Sequence, residues 1–96
     1  VVMPQVSLYG TRLCSFCAAA RQLLNRKGVS YDDISVDQDL DLRNEVRQKS
    51  GQRTVPQIWV GDTHIGGYSE LQGLETTGEL DALLSPRVEM DENSAI

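Results

Sequence analysis

The two cysteines of the chain stand close together, within residues 8–20, which read LYGTRLCSFCAAA. Only Ser15 and Phe16 separate Cys14 from Cys17. A C-x-x-C pair of this kind binds a metal, forms a structural disulfide or exchanges disulfides with a substrate. A structural disulfide here would close a very short loop and would therefore constrain the unfolded chain little.

The number of available ligands weakens the metal hypothesis. A closed zinc site needs four ligands, and the sequence offers the two cysteines and one distant histidine, His64. One chain therefore cannot complete a zinc site from sulfur and nitrogen ligands, although a metal shared by two chains or completed by an external thiol stays open. Redox chemistry is the favoured hypothesis.

The composition limits the partners and the compartment. The 96 residues, 40% of them hydrophobic, predict one compact domain with a modest core. The net charge of −5 disfavours nucleic acid and anionic membranes as partners. No apolar run approaches the ~20 residues of a membrane-spanning helix, and the start VVMPQV lacks the pattern of a signal peptide. We therefore predict a cytoplasmic protein, in which a C-x-x-C pair is more often catalytic or metal-binding than structural.

The elements that must position the cysteines follow from hydrophobic periodicity. Residues 6–9 alternate and predict a strand, and the apolar residues after Ser15 recur at helical spacing up to a stop at Gly28. The same patterns predict a strand at 31–36, a polar helix at 39–50, a hairpin at 57–60 and 63–65, and a final helix up to residue 84. Ser69 and Gln72 fit a capping box at the start of that helix.

The order β-α-β-α-β-β-α predicts an α/β fold, in which helices flank a mixed four-stranded sheet. We predict that residues 1–84 form this domain. Residues 85–96 are acidic and aperiodic, so we predict a disordered C-terminal tail.

The position of the cysteines favours a redox role. Cys14 stands between the first strand and the first helix, and Cys17 lies in the first turn of that helix. A helix N-terminus presents unpaired N–H groups and a positive dipole end, which favour a thiolate over a thiol. We therefore predict that Cys14 attacks a disulfide and that Cys17, which is less exposed, resolves the mixed disulfide. Arg12 adds a positive charge beside Cys14.

The stretch Thr54-Val55-Pro56 stands just before the best strand. Proline is allowed at the first residue of a strand but rarely inside a central one. A cis peptide bond before Pro56 would permit a tight approach and leave the N–H and C=O of Val55 available to an extended peptide ligand. The alternative is an ordinary trans proline at an edge.

Three motifs together resemble the glutaredoxins, enzymes of the thioredoxin fold. The resemblance runs in register from about residue 6 to residue 84. Thioredoxin itself fits less well, because it has a tryptophan before the first cysteine and Gly-Pro between the two. The motifs are Cys14-Ser15-Phe16-Cys17, Thr54-Val55-Pro56-Gln57, and Gly66-Gly67 followed by Ser69-Glu70.

The resemblance implies a thioredoxin-like fold and glutathione-dependent reduction of protein disulfides and glutathione mixed disulfides. Glutathione would be the co-substrate of a monomer that acts on glutathionylated or disulfide-containing proteins. In the family the cysteinyl unit of glutathione pairs with the backbone at the position of Val55, its γ-glutamyl carboxylate binds the N–H groups at Tyr68 and Ser69, and its glycine carboxylate meets a cation at Arg43. The other residues of the implied glutathione site are Arg12, Phe16, Thr54, Pro56 and Gly67.

The sequence departs from the family pattern at three positions. Ser15-Phe16 replaces the common Pro-Tyr, Thr11 replaces a lysine, and Ser69 replaces an aspartate. A proline after the first cysteine disfavours a second function of the family, which is a [2Fe–2S] cluster shared by two chains and two glutathiones, with Cys14 as the ligand from each chain. Because Ser15 removes that obstacle, the cluster-binding dimer is the alternative hypothesis. Trp59 and His64 are interpreted as structural, with His64 exposed to solvent.

Overall fold

The computed structural model describes residues 4–85. In chain order its elements are β1 (Val6–Gly10), α1 (Ser15–Arg26), β2 (Asp32–Ser35), α2 (Leu40–Ser50), β3 (Gln57–Val60), β4 (Thr63–Gly66), α3 (Tyr68–Thr77) and α4 (Glu79–Leu84). None of the helices in this part of the chain has both the length and the apolar character needed to span a bilayer. The predicted disordered tail lies, apart from Ser85, outside the described residues.

The strands form one mixed sheet in the order β2-β1-β3-β4. β1 and β2 are parallel, and α1 connects them, whereas β3 is antiparallel to both β1 and β4. The predicted four-stranded mixed sheet with flanking helices is confirmed. Tyr9 pairs with Gln57, so the end of β1 and the start of β3 lie side by side at one end of the central strands.

The hydrophobic core lies between the sheet and the helices α1, α3 and α4. Burial alternates along β1, where Val6 and Leu8 are buried and Ser7 and Tyr9 are partly exposed. This alternation follows from the strand period of two residues, which sends successive side chains to opposite faces. The core residues are Val6, Leu8, Ala20, Leu23, Leu24, Ile58, Val60, Ile65, Leu71 and Leu80.

The ends of α2 agree with the sequence prediction. The side chain of Asp39 accepts a hydrogen bond from the Leu42 N–H at 3.0 Å and caps the N-terminus. Gly51 ends the helix with a φ of 70°, in the left-handed region that glycine adopts without steric cost.

The final helical region differs from the prediction in two ways. Gly78 adopts a φ of 84° and ends α3, so α4 is a separate helix. The predicted capping box of Ser69 with Gln72 is wrong, because α3 begins earlier and Ser69 lies inside its first turn. Instead, the backbone N–H of Gly67 donates to the Glu70 carboxylate at 2.8 Å, which satisfies a donor that the helix itself leaves free.

Replacement of Leu23 by alanine tests the assigned core. Leu23 is 1% exposed, so loss of its side chain leaves a cavity between α1 and the sheet. We expect the free energy of unfolding, measured by urea denaturation, to fall by about 2–5 kcal/mol. Leu13→Ala is the matched control, because Leu13 is 100% exposed and the change should stay within about 0.5 kcal/mol. Equal losses in the two variants would contradict this core.

Candidate active site

Cys14 lies at the N-terminus of α1 in an extended conformation, with φ −117° and ψ 120°. Its carbonyl accepts the first helical hydrogen bond, from the Ala18 N–H at 3.0 Å. Both thiols are free, but Cys14 is partly exposed and Cys17 is fully buried. Cys14 is therefore the cysteine that a substrate in solution can reach.

The surroundings of Cys14 lower the pKa of its thiol. Partial burial acts in the opposite direction, because it penalises the charged form. The backbone N–H groups of Cys17 and Phe16, the side chain of Cys17 and the positive charge of Arg21 outweigh burial. These N–H groups belong to the first turn of α1, where the helix leaves its donors unpaired. The structure thus supplies the thiolate-stabilising helix end that the sequence predicts.

Burial is the main cause that raises the pKa of Cys17. The neighbouring Cys14 raises it further, both through a hydrogen bond and through its negative charge. The backbone of Thr11 and the charge of Arg21 act in the opposite direction without cancelling these effects. Cys17 therefore keeps its proton when Cys14 is ionised, which suits a nucleophile at Cys14 and a resolving thiol at Cys17.

Arg21 is a residue of this site that the sequence analysis did not single out. Its Nε donates to Asp33 Oδ2 at 2.9 Å, and its Nη2 donates to the Thr11 carbonyl at 3.2 Å. The guanidinium is held beside Gly10, where a Cβ would lie 2.9 Å from Cys17 Sγ and 3.4 Å from Arg21 Nη2. The spacing could have identified it, because Arg21 follows Cys17 by one helical turn on the same face of α1.

The segment before β3 approaches the cysteines. Cys14 Sγ lies 3.8 Å from the carbonyl oxygen of Val55. The Val55–Pro56 peptide bond is cis, as the sequence analysis predicts. The cysteine stretch and the Thr54-Val55-Pro56 stretch therefore form one site, although more than thirty residues separate them in the sequence.

A shallow cavity of about 150 Å³ beside Cys14 contains most of the predicted glutathione-binding residues. Phe16 and Tyr68 form an aromatic wall, with ring centroids 6.4 Å apart and planes tilted by 30°. The first turn of α3 lies at the same cavity, so its free N–H groups can face an anion. The lining residues are Phe16, Thr54, Val55, Pro56, Gly67, Tyr68, Ser69 and Glu70.

Two predicted site residues, Arg12 and Arg43, do not line this cavity. Arg12 is exposed and lines a different cavity, and its backbone N–H donates to Asp37 Oδ2 at 3.1 Å. Arg43 is half-buried on α2, and its Nε has no hydrogen-bond partner within residues 4–85. The backbone of Arg12 is therefore bonded to Asp37, and the Nε of Arg43 is a buried donor without a partner in this part of the chain.

Trp59 and His64 contact other residues of the sheet, and His64 is more buried than the sequence analysis predicts. Trp59 packs edge-on against Tyr9, with ring centroids 5.5 Å apart. The prediction that His64 is exposed to solvent is wrong, because the pairing of β3 with β4 sets it opposite Trp59. His64 is half-buried, and its Nε2 lies 2.7 Å from Oε1 of the buried Gln57.

Larger cavities occur elsewhere on the molecule, but their linings include neither a cysteine nor Val55, whose carbonyl contacts Cys14 Sγ. One of about 380 Å³ is lined by Ser7, Tyr9, Lys49, Trp59, Gly61 and Asp62, and neither cysteine reaches it. Within residues 4–85, no group of three or more His, Cys, Asp or Glu side chains is placed to hold a metal ion. The contact of Cys14 with Val55 therefore assigns the candidate active site to the small cavity that Val55 lines.

Comparison with known proteins identifies the family of the chain. The sequence model of the family described as Glutaredoxin matches residues 6–65 of the chain. The chain belongs to the glutaredoxin family. Its function is accordingly that of a thiol–disulfide oxidoreductase, and the resemblance found in the sequence is confirmed.

Individual relatives show how far the likeness extends. The chain is 52% identical over 83 residues to glutaredoxin of Pseudomonas aeruginosa, a match that covers 86% of this chain and 99% of the relative. It is 40% identical over 82 residues to glutaredoxin 3 of Escherichia coli K12, with 85% and 99% covered. The solution structure of a Brucella melitensis glutaredoxin matches with a TM-score of 0.79 at 40% identity, over 88% of this chain and 91% of that one. A crystal structure of a buckwheat glutaredoxin–glutathione complex matches with a TM-score of 0.79 at 28% identity, over 84% and 76%. The thioredoxin-like fold is thereby confirmed over most of the chain.

Alkylation by iodoacetamide tests the difference between the two thiols. Because the pKa of Cys14 is lowered and only the thiolate reacts, its alkylation should reach half-maximal rate at a lower pH than in the unfolded chain. Cys17 should require a higher pH than in the unfolded chain. Peptide mapping by mass spectrometry across a pH series assigns the two rates. A midpoint for Cys17 below that for Cys14 would contradict the assignment.

The same experiment tests the contribution of Arg21. Arg21→Gln should move the Cys14 midpoint to higher pH, because it removes a positive charge that favours the thiolate. Arg26→Gln is the matched control, since Arg26 lies on the same helix but is exposed in its last turn. Equal shifts in the two variants would mean that net charge, and not the position of Arg21, matters.

Proposed function

We propose that this chain catalyses glutathione-dependent thiol–disulfide exchange, in which the Cys14 thiolate reduces glutathione mixed disulfides and protein disulfides. The observation that carries the proposal is that a thiol of lowered pKa contacts the Val55 carbonyl, and that Val55 and the N-terminus of α3 line one cavity. The likeness to a buckwheat glutaredoxin solved as a glutathione complex supports the choice of ligand.

The first step is attack of the Cys14 thiolate on the glutathione sulfur of a mixed disulfide. A disulfide forms between Cys14 and glutathione, the substrate disulfide breaks, and the released protein thiolate takes up a proton. The thiolate of a second glutathione, formed by loss of its proton, then attacks the glutathione sulfur bound to Cys14. Glutathione disulfide leaves and Cys14 returns as a thiolate, for which a low pKa makes it a good leaving group.

The polar groups of glutathione find complementary partners in the cavity. The N–H and C=O of Val55 can pair with the cysteinyl unit, which brings its sulfur towards Cys14. The N–H groups of Tyr68 and Ser69 belong to the first turn of α3 and can bind the γ-glutamyl carboxylate. The rings of Phe16 and Tyr68 provide apolar area alongside.

Protein disulfides with two sulfurs can use Cys17 as well. Attack by Cys14 gives a mixed disulfide with the protein, and Cys17 then loses its proton and attacks the Cys14 sulfur. An internal disulfide forms, the reduced substrate leaves, and two glutathiones later reduce the enzyme. The negative charge of Cys14, which helps to raise the pKa of Cys17, disappears once Cys14 is in a disulfide. Cys17 is thus easier to ionise at the step that needs its thiolate.

The cluster-binding dimer stays an alternative hypothesis. Each chain would contribute the accessible Cys14, and two glutathiones would supply the other thiolates that a [2Fe–2S] cluster needs. The absorption spectrum of protein purified without oxygen distinguishes the two functions. A brown, glutathione-dependent dimer that lacks deglutathionylation activity would favour the cluster, and a colourless, active monomer would favour the oxidoreductase.

Serine substitutions of the two cysteines test the proposed mechanism. Cys14→Ser should abolish reduction of a glutathionylated peptide in a glutathione-coupled assay, because the only accessible thiol among the described residues is lost. Cys17→Ser should leave that activity largely intact, since the two-glutathione route does not use Cys17, and should impair reduction of protein disulfides. Exchange of these two phenotypes would overturn the assigned roles.

Arg43→Glu tests the proposed partner of the glycine carboxylate. Reversal of the charge would place the Glu carboxylate opposite the glycine carboxylate of glutathione. We therefore expect the KM for glutathione to rise while the protein stays folded. Because Arg43 is half-buried, the free energy of unfolding is measured for both variants, so that a loss of stability is not mistaken for a loss of affinity. Arg47→Glu, an exposed position one turn later on α2, is the matched control. An unchanged KM for glutathione in Arg43→Glu would remove Arg43 from the site.

A further inference from the structure

Gln57, the first residue of β3, has a polar side chain that the fold buries completely. It is 0% exposed, and it is the only polar or charged residue in the buried set of the described chain. An amide taken out of water destabilises the fold unless its donors and its acceptor are bonded. The bonds of Gln57 therefore indicate what its burial achieves.

Every group of the Gln57 amide has a partner. Its Nε2 donates to Gln52 Oε1 at 2.9 Å and to the Thr54 carbonyl at 3.0 Å, and it lies 3.2 Å from Thr54 Oγ1. Its Oε1 lies 2.7 Å from His64 Nε2. Because an amide oxygen can only accept, His64 Nε2 must carry the hydrogen. His64 thus fixes the orientation of the amide, with the oxygen towards β4 and the nitrogen towards the segment before β3.

The bond to the Thr54 carbonyl sets the direction of the next N–H group. Thr54 and Val55 share one planar peptide group, and this bond is trans. In a trans peptide group the C=O and the N–H point in opposite directions. The Thr54 carbonyl points inward to the buried Gln57, so the Val55 N–H points outward. Thr54 and Val55 line the cavity beside Cys14, and Gln57 is not among its lining residues. The outward direction of the Val55 N–H is therefore the direction of the cavity.

We propose that Gln57, oriented by His64, is a positioning residue that aims the Val55 N–H at the backbone of the glutathione cysteinyl unit. The inference rests on the proposed function for the identity of the ligand. Gln57 touches neither the ligand nor the reacting sulfur atoms, and it acts through the peptide group between Thr54 and Val55. A donor held in its bound orientation improves affinity, because binding then does not have to order it.

Gln57→Met tests the proposal, because methionine keeps the length of the side chain and removes its donors. The Thr54–Val55 peptide group would lose its inner bond and become free to turn. We expect the KM for a glutathionylated peptide to rise about fivefold or more, as for the loss of one hydrogen bond, with kcat within about twofold. The pH midpoint of Cys14 alkylation should not change, because α1 is untouched.

Two further variants distinguish the proposed role from a general loss of stability. Val60→Ala removes buried volume at the other end of β3 and should lower stability without raising the KM. His64→Phe keeps a ring against Trp59, which lies 4.8 Å from the histidine ring, but cannot donate to Gln57, so it should raise the KM by a smaller factor. An equal rise in Val60→Ala would overturn the proposal, as would a wild-type KM in Gln57→Met. If Gln57→Met does not fold, a wild-type KM in His64→Phe overturns it.

Measurement of the Val55 amide resonance by NMR tests this inference independently of the proposed function. Absence of glutathione-dependent turnover in the wild-type chain would overturn the proposed function and would leave the orientation of the peptide group open to measurement. Under the proposal, Gln57→Met shifts the Val55 amide resonance of the free protein and Val60→Ala does not. A Val55 resonance that Gln57→Met leaves unchanged overturns the positioning role, whether or not turnover is seen.

Discussion

The antiparallel pairing of β1 with β3 determines where the chemistry can occur. Because Tyr9 lies opposite Gln57, the C-terminal end of β1 and the N-terminal end of β3 lie side by side at one end of the central strands. The cysteine stretch follows β1, and the Thr54-Val55-Pro56 stretch precedes β3, so the two segments must meet at that end of the strands. Their meeting is the 3.8 Å contact of Cys14 Sγ with the Val55 carbonyl. The cavity, the aromatic wall and the start of α3 are arranged around this contact.

The second requirement of the site is that two neighbouring thiols behave differently. Both have the same intrinsic chemistry, and the fold separates them by burial and by donors. Cys14 stands where α1 leaves N–H groups unpaired, and Cys17 lies one turn deeper, out of contact with water. Arg21 favours both thiolates, but its charge decides nothing alone, since burial outweighs it at Cys17 and the helix N–H groups add to it at Cys14. The difference in pKa between the two cysteines therefore follows from their positions along α1, one at its N-terminus and one a turn further on, where it is buried.

Features that depend on a few neighbouring residues could be predicted from the sequence. These include the cap at Asp39, the stop at Gly51 and the placement of the C-x-x-C pair at a helix start, because each is determined by local backbone chemistry. The network of Gln57 with His64 could not be predicted, since it depends on the register between β3 and β4. The break at Gly78 was missed because leucines continue at helical spacing on both sides of it.

The central claim of this account is that glutathione binds in the cavity beside Cys14 and not in a larger one. The most direct measurement is a titration of the reduced, isotope-labelled protein with S-methylglutathione, which cannot exchange disulfides, followed by amide NMR. The account predicts that the largest shifts occur at the Val55, Tyr68 and Ser69 amides. Shifts centred on Ser7, Tyr9 and Trp59, which line the cavity on the sheet, would contradict it, and so would the absence of shifts at millimolar ligand.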